Sequence, residues 1–280
     1  MQDKVSKILK KFNDNSLYPA LGVEIEFYIL GKGCERDVNN IVAQICDITK
    51  LEVQQEKGYR QYEIASDIYY DVYDLINFVQ NFQSAIKKIN ILNSQSELEI
   101  TFNPKPYKDD YGSGMHIHMS LLDVNGMNLF NNCNEMSDNN ILMHSIGGIL
   151  TLLNQSLYML TSDDEYEFER FNICYMSPTN ISWGKNNRTT AVRIPDSMPC
   201  KRNRRIEFRV PSAQSDIFSV VVFVLTSTFY GIKHSVKPLS CVYGNAYSDI
   251  YDLQPIHKSL KDTKDDFHFW KIFEEICSNI

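Results

Sequence analysis

The sequence has no C-x-x-C pair, no apolar run of membrane-spanning length, no internal repeat, no low-complexity tract and no excess of positive charge. Each absence excludes something. The seven cysteines (Cys34, Cys46, Cys133, Cys174, Cys200, Cys241 and Cys277) are odd in number and irregular in spacing. They read as free thiols in a reducing compartment. With no spanning run, no membrane crossing is expected. "MQDKVSKILKKF" (1–12) lacks the apolar core of a signal peptide, so a cytoplasmic location is expected. A net charge of -7 argues against a general nucleic-acid binder, whose phosphate contacts need a basic surface. It leaves room for a local basic pocket. The 280 residues, 43% hydrophobic, suffice for one large core or two small ones.

What is present is a mixture of helical and strand patterns. Val5, Ile8, Leu9 and Phe12 fall at helical spacing, with Lys4, Lys7, Lys10 and Lys11 opposite. This is a first helix packed on the core or, less simply, one lying on a membrane surface. Segment 72–89 carries an amphipathic helix, and 141–160 a buried one around Gly147 and Gly148. Residues 217–234 read as a further buried helix, although their β-branched content also suits a strand. Strands are expected at 22–30, 97–102, 113–122, 189–195 and 204–211. The class is α+β, an antiparallel-rich sheet backed by helices.

Three of these strands carry charge in an unusual way. Residues i and i+2 of a strand share a face. Glu24 and Glu26 therefore point one way, and Val23, Ile25 and Phe27 the other. His116 and His118 share a face opposite Met115, Ile117 and Met119. Glu207 and Arg209 share one opposite Ile206 and Phe208. Any one of these patterns alone describes a half-exposed sheet, and an isolated H-x-H is usually the solvent face of a strand. If all three line one surface, their carboxylates repel one another unless cations lie between them. Mg²⁺ or Mn²⁺ suits carboxylates with a single imidazole. Such ions usually accompany phosphates, which arginines hold in forked geometry.

The same segments resemble the catalytic domain of the glutamine synthetase family, in order and over most of the chain. "GVEIEF" (22–27) and "QYEIAS" (61–66) resemble its first two metal-ligand strands. "TFNPKPYKDDYGSGMHIHMSL" (101–121) resembles its signature ending in a metal-binding histidine. "SPTNISWGKNNRTTAVRIP" (177–195) resembles its ATP-site segment, "RRIEFRVP" (204–211) its last metal strand, and "YGNAYSDIYDLQPIHKSL" (243–260) its C-terminal turn and helix. The resemblance implies a glutamine synthetase/guanidino kinase-like fold over residues 1–280 and an ATP-dependent ligase. Glutamate's γ-carboxylate would be phosphorylated by ATP with Mg²⁺ or Mn²⁺, and ammonia or an alkyl amine would displace the phosphate. Position by position it implies one metal on Glu24, His116 and Glu207 and a second on Glu26, Glu63 and Asp71. His118, Ser120, Arg193 and Arg205 would contact the nucleotide. Gly112, Arg170 and Arg209 would hold glutamate, and Arg188 the transferring phosphoryl group.

Asp71 stands where the family usually has glutamate. Straight strand would carry it roughly 26 Å from Glu63, so the chain must fold back to bring the two to one ion. The alternative is that Asp71 caps the following helix. Other departures stand out. The family's β-grasp domain is not seen ahead of Glu24, and the C-terminal region is shorter. Tyr111 replaces an asparagine before G-S-G, and Ser215-Asp216-Ile217 replaces N-P-Y after the last strand. Met176 falls where a flexible-loop glutamate closes over the ammonium site, and a thioether neither takes a proton nor attracts a cation. Relatives that join glutamate to larger amines, the γ-glutamylputrescine synthetases, often carry an apolar residue there. The expected partners are glutamate, ATP and an amine, with a homo-oligomer or a separate β-grasp chain as protein partner and neither nucleic acid nor membrane. The alternatives are an inactive truncated homologue and the catalytic half of a split enzyme.

Overall fold

The computed structural model describes residues 1–131, 140–162, 166–172, 176–197 and 203–278. Its helices are α1 (Gln2–Asp14), α2 (Glu35–Thr49), α3 (Val72–Leu92), α4 (Asn140–Ser156), α5 (Ile217–Lys233), α6 (Leu260–Asp265) and α7 (Phe269–Cys277). Its strands are β1 (Tyr18–Gly31), β2 (Val53–Gln55), β3 (Gln61–Ala65), β4 (Leu98–Thr101), β5 (Met115–Leu122), β6 (Trp183–Lys185), β7 (Val192–Ile194) and β8 (Ile206–Phe208). Two 3₁₀ segments, Leu157–Met159 and Glu167–Asn172, lie between α4 and β6.

The strands form one sheet in the order β2-β3-β1-β5-β8-β7-β6, with β4 paired to the far end of β1. All pairings are antiparallel except β6 with β7. The alternation expected in the three charged strands holds. Val23, Ile25, Phe27, Met115, Ile117, Met119, Ile206 and Phe208 are all buried in the core. Their face is covered by helices. The stripe Val72, Leu75, Ile76, Val79, Phe82, Ile86 and Ile89 buries α3 along its length, and α3 packs on β1 and α5. Segment 217–234 is helix, not strand. Apolar residues occupy every side of α5, which packs against α1, α4 and α7. The apolar stripe of α1 (Val5, Ile8, Phe12) is fully buried, so that helix belongs to the core. No helix among the described residues is long and apolar enough to cross a membrane. The four described cysteines, Cys34, Cys46, Cys241 and Cys277, are free thiols.

The glycine pair of α4 permits a very close helix crossing. A Cβ built on Gly148 would lie 2.0 Å from the carbonyl oxygen of Ser227 on α5. That is backbone, which cannot swing aside. Gly148→Ala therefore forces the two helices apart and should cost about 3 kcal/mol, the upper part of the usual range for overpacking. Urea unfolding of the variant measures this, and a loss below about 0.5 kcal/mol, the size of an ordinary surface change, would contradict the crossing.

Candidate active site

Register turns the alternating strands into a site. Glu26 on β1 sits opposite Glu63 on β3, and Glu24 opposite His116 on β5. His118 sits opposite Glu207 on β8, and Glu207 opposite Arg193 on β7. Directly opposed residues share a face. One line of polar side chains thus crosses five strands on the face away from the helices.

Glu24, Glu63 and His116 each place a ligand atom within 4.8 Å of the others. Glu24 Oε2 is 3.3 Å from His116 Nδ1, and its Oε1 is 3.0 Å from His118 Nε2. Burial pushes the Glu24 carboxyl up, but the two imidazoles outweigh it and hold the group well below the ordinary range. Glu63 goes the other way. Burial first, then the charges of Glu24, Glu26 and Glu56, push it up to about 9. Glu26 is also raised, mainly by burial, although Gly114 N–H donates to its Oε2 at 2.7 Å. A half-buried group of carboxylates that cannot all ionise together fits a divalent cation, whose charge removes the repulsion.

Of the residues expected at the two metals, Glu24, His116 and Glu63 lie together, and Glu207 is held by arginines. Both oxygens of Glu207 are taken by guanidinium groups: Arg193 Nη1 donates to Oε2 at 2.7 Å, and Arg209 Nη1 donates to Oε1. Glu207 is fully buried, and against that burial Arg209, then His116, His118 and Arg193, hold its carboxyl at about 2. Asp71 is the N-cap of α3, with its Oδ1 accepting from Tyr73 N–H at 2.8 Å. This is its capping alternative. Asp71→Ala should cost about 1 kcal/mol, the usual value of such a cap, and leave any metal-dependent stabilisation unchanged. Thermal melts with and without Mg²⁺ separate the two roles.

Glu56 is the carboxylate that sequence reasoning missed. It lines the same cavity as Glu26, and its charge helps to raise both Glu26 and Glu63. The hairpin of β2 and β3 places it there. Gln54 is opposite Glu63, and Glu56, two residues on, continues that face. The alternation Gln54, Glu56 was a usable signal, but only once the pairing of so short a strand was known.

Two clefts flank the polar line. One is lined by Glu26, Glu56, Gly112, Arg170, Arg188 and Arg209, and by Met176. A Cβ on Gly112 would lie 2.7 Å from Arg170 Cγ, so only glycine lets the arginine pass. Arg170 is buried, its Nη1 donating to Ser113 O at 3.2 Å and its Nη2 to Val210 O at 2.7 Å. Arg209 Nη2 donates to the carbonyl of Met176 at 3.2 Å. The other cleft, about 840 Å³, is bordered by Glu24, His118, Ser120 and Arg205, with Ile68, Tyr70 and Met127 as its apolar part. Arg205 Nε donates to His118 Nδ1 at 2.9 Å. Arg193 borders neither cleft and is held between Glu207 and Asn186. The H-x-H motif is thus a divider, with His116 facing the first cleft and His118 the second.

Comparison with known proteins matches residues 47–267 to the family described as glutamine synthetase, catalytic domain. The γ-glutamylputrescine synthetase PuuA of Escherichia coli is 25% identical, over 86% of this chain and 57% of its own length. The glutamine synthetase of Pyrococcus woesei is 30% identical, over 82% of this chain and 50% of its own. The chain thus spans about half the length of these curated relatives. A solved structure of GmaS in complex with ADP covers 98% of this chain and 69% of its own, with a TM-score of 0.79 at 19% identity, a likeness of fold.

Proposed function

The chain belongs to the glutamine synthetase family through its catalytic domain, and from that premise we propose that it is an ATP-dependent ligase joining the γ-carboxylate of glutamate to an amine. The observation that carries this reading is the polar line itself. Carboxylates and a histidine able to hold a cation lie between one cleft with Arg170, Arg188 and Arg209 and another with His118, Ser120 and Arg205. A small dicarboxylate and a nucleotide would approach each other across that line.

In the first step an oxygen of glutamate's γ-carboxylate attacks the γ-phosphorus of ATP. The bond to the β-phosphate oxygen breaks, and ADP leaves. In the second step the amine nitrogen attacks the acyl carbon of γ-glutamyl phosphate, inorganic phosphate leaves, and the nitrogen loses a proton. Arg170 and Arg209 hold the amino acid through charge-assisted hydrogen bonds. Arg188 faces the transferring group, where a cation stabilises the charge that develops. His118, Ser120 and Arg205 orient the nucleotide. A divalent cation held by Glu24, Glu63 and His116, with Glu26 and Glu56 beside them, would neutralise phosphate charge.

Met176 decides the amine. It lines the first cleft and its carbonyl accepts from Arg209, and its side chain offers contact to methylene groups but no charge to ammonium. Putrescine or another alkyl amine is therefore expected to outperform ammonium, with Met176→Glu shifting preference back toward ammonium. Product formation over a panel of amines tests this, and equal or better turnover of ammonium by the unaltered chain would overturn it.

A further inference from the structure

Behind the glutamate cleft lies a buried charge that the reaction just described does not use. Glu167 is 0% exposed and Arg170 2% exposed. Both belong to the 3₁₀ segment Glu167–Asn172, where residues three apart lie on one side. Glu167 Oε1 is 3.6 Å from Arg170 Nη1 and accepts no hydrogen bond from a described residue. Its Oε2 is pinned, accepting from Ser162 Oγ at 2.8 Å and Ser162 N–H at 3.2 Å. Among the described residues Arg170 is the cation paired with it.

We infer that Glu167 is the positioning residue of the amino-acid site: it holds the Arg170 guanidinium at the depth and orientation needed to receive the substrate's anionic end. This rests on the reading that Arg170 and Arg209 hold glutamate. Arg170 and Arg209 are like charges lining one cleft. Removed from water, they would repel each other and draw apart or recruit the nearest anion. Burial pulls the Arg170 guanidinium toward its neutral form, Arg209 adds to that pull, and Glu167 is the foremost group opposing it. The two carbonyls of Ser113 and Val210 set the direction of the fork but bring no net charge. Glu167 brings the largest opposing charge and Glu26, in the cleft lining, the next, while among the described residues Arg170 Nε has no partner.

The test is Glu167→Gln, which keeps the shape and can still accept from Ser162 but turns an N–H group toward the guanidinium. Calorimetric titration with glutamate, and separately with Mg·ATP, is run on both proteins. The expected result is glutamate affinity weakened by at least about tenfold, the order expected when a positioned group drifts by a fraction of an ångström, with Mg·ATP affinity unchanged. A purely structural role would weaken both ligands or neither. Equal glutamate affinity in the two proteins overturns the inference and leaves the ligase reading intact. Binding of Mg·ATP but no glutamate by the unaltered chain overturns the glutamate reading and this inference with it. If Glu167→Gln does not fold, Glu167→Asp replaces it. This variant keeps the charge but retracts it by about 1.5 Å, one carbon–carbon bond, and intermediate weakening confined to glutamate is expected. Unchanged affinity there overturns the inference.

Discussion

Millimolar Mg²⁺ or Mn²⁺ is expected to raise the melting temperature of this protein, and Glu63→Gln is expected to remove most of that rise while making the metal-free protein more stable. The reason is the position of Glu63 among Glu24, Glu26 and Glu56, where its carboxyl is pushed up to about 9. In the unfolded chain it titrates near its ordinary value of about 4.3. Between those values the folded state keeps a proton that the unfolded state has released, so stability falls as pH rises through that window. Metal-free wild type should therefore melt at a lower temperature at pH 8 than at pH 6. A bound cation reverses the preference by favouring the ionised carboxylate, so its stabilisation grows with pH. At a hundred times Kd it amounts to about 2.7 kcal/mol, or about 5–10 °C at roughly 2–4 °C per kcal/mol. In Glu63→Gln this contribution to the pH slope is gone. Melting curves at both pH values, with and without metal, provide the measurement. Curves indifferent to metal at both would count against the site.

Glu207→Ala is expected to be the most damaging single change on the sheet, at about 3–5 kcal/mol. The carboxylate is fully buried, with Arg193 on one oxygen and Arg209 on the other. Its removal strands the buried Arg209 guanidinium and takes from the half-buried Arg193 its charge partner. The sign with pH is opposite to that of Glu63. Although burial pushes Glu207 up, Arg209, the two histidines and Arg193 hold it at about 2, so its stabilisation is present above the unfolded value near 4.3 and is lost as pH falls toward 2. Urea unfolding at pH 7 and pH 3 should show a large gap between wild type and variant at the first pH and a smaller one at the second. The double variant Arg193→Met/Glu207→Ala should recover part of the loss, since the unpaired cation is what costs. A loss below about 1 kcal/mol, the worth of an exposed pair, would contradict this account.

Alternation was legible in the sequence, and register was not. Val23, Ile25 and Phe27 against Glu24 and Glu26 gave the faces of β1 without any structure. Nothing in the chain's periodicity said that Glu63 would lie opposite Glu26 or that Glu207 would lie between two arginines. Register depends on hairpin and crossover geometry set by distant segments. Glu56, following a three-residue strand, is hidden for the same reason, whereas the grouping of Glu207 with Glu24 and His116 is what the family resemblance implies. Asp71 shows the converse. Its local signal, an aspartate just before an apolar helical stripe, correctly described a cap. Glu167 was invisible, because a glutamate within "EYEFER" (165–170) carries no sign that its side chain is turned inward beneath an arginine.

The most direct test of the proposed activity follows an oxygen atom. Glutamate labelled with ¹⁸O in its γ-carboxylate is incubated with the protein, Mg·ATP and an alkyl amine, and the released phosphate is analysed by mass spectrometry. If the γ-carboxylate attacks ATP and the amine then displaces phosphate, each γ-glutamyl amide formed is matched by one phosphate carrying a single ¹⁸O from glutamate. ATP consumption that yields only unlabelled phosphate, whether or not glutamate is present, would show that no acyl phosphate forms and would contradict the assignment of this site as a glutamate–amine ligase.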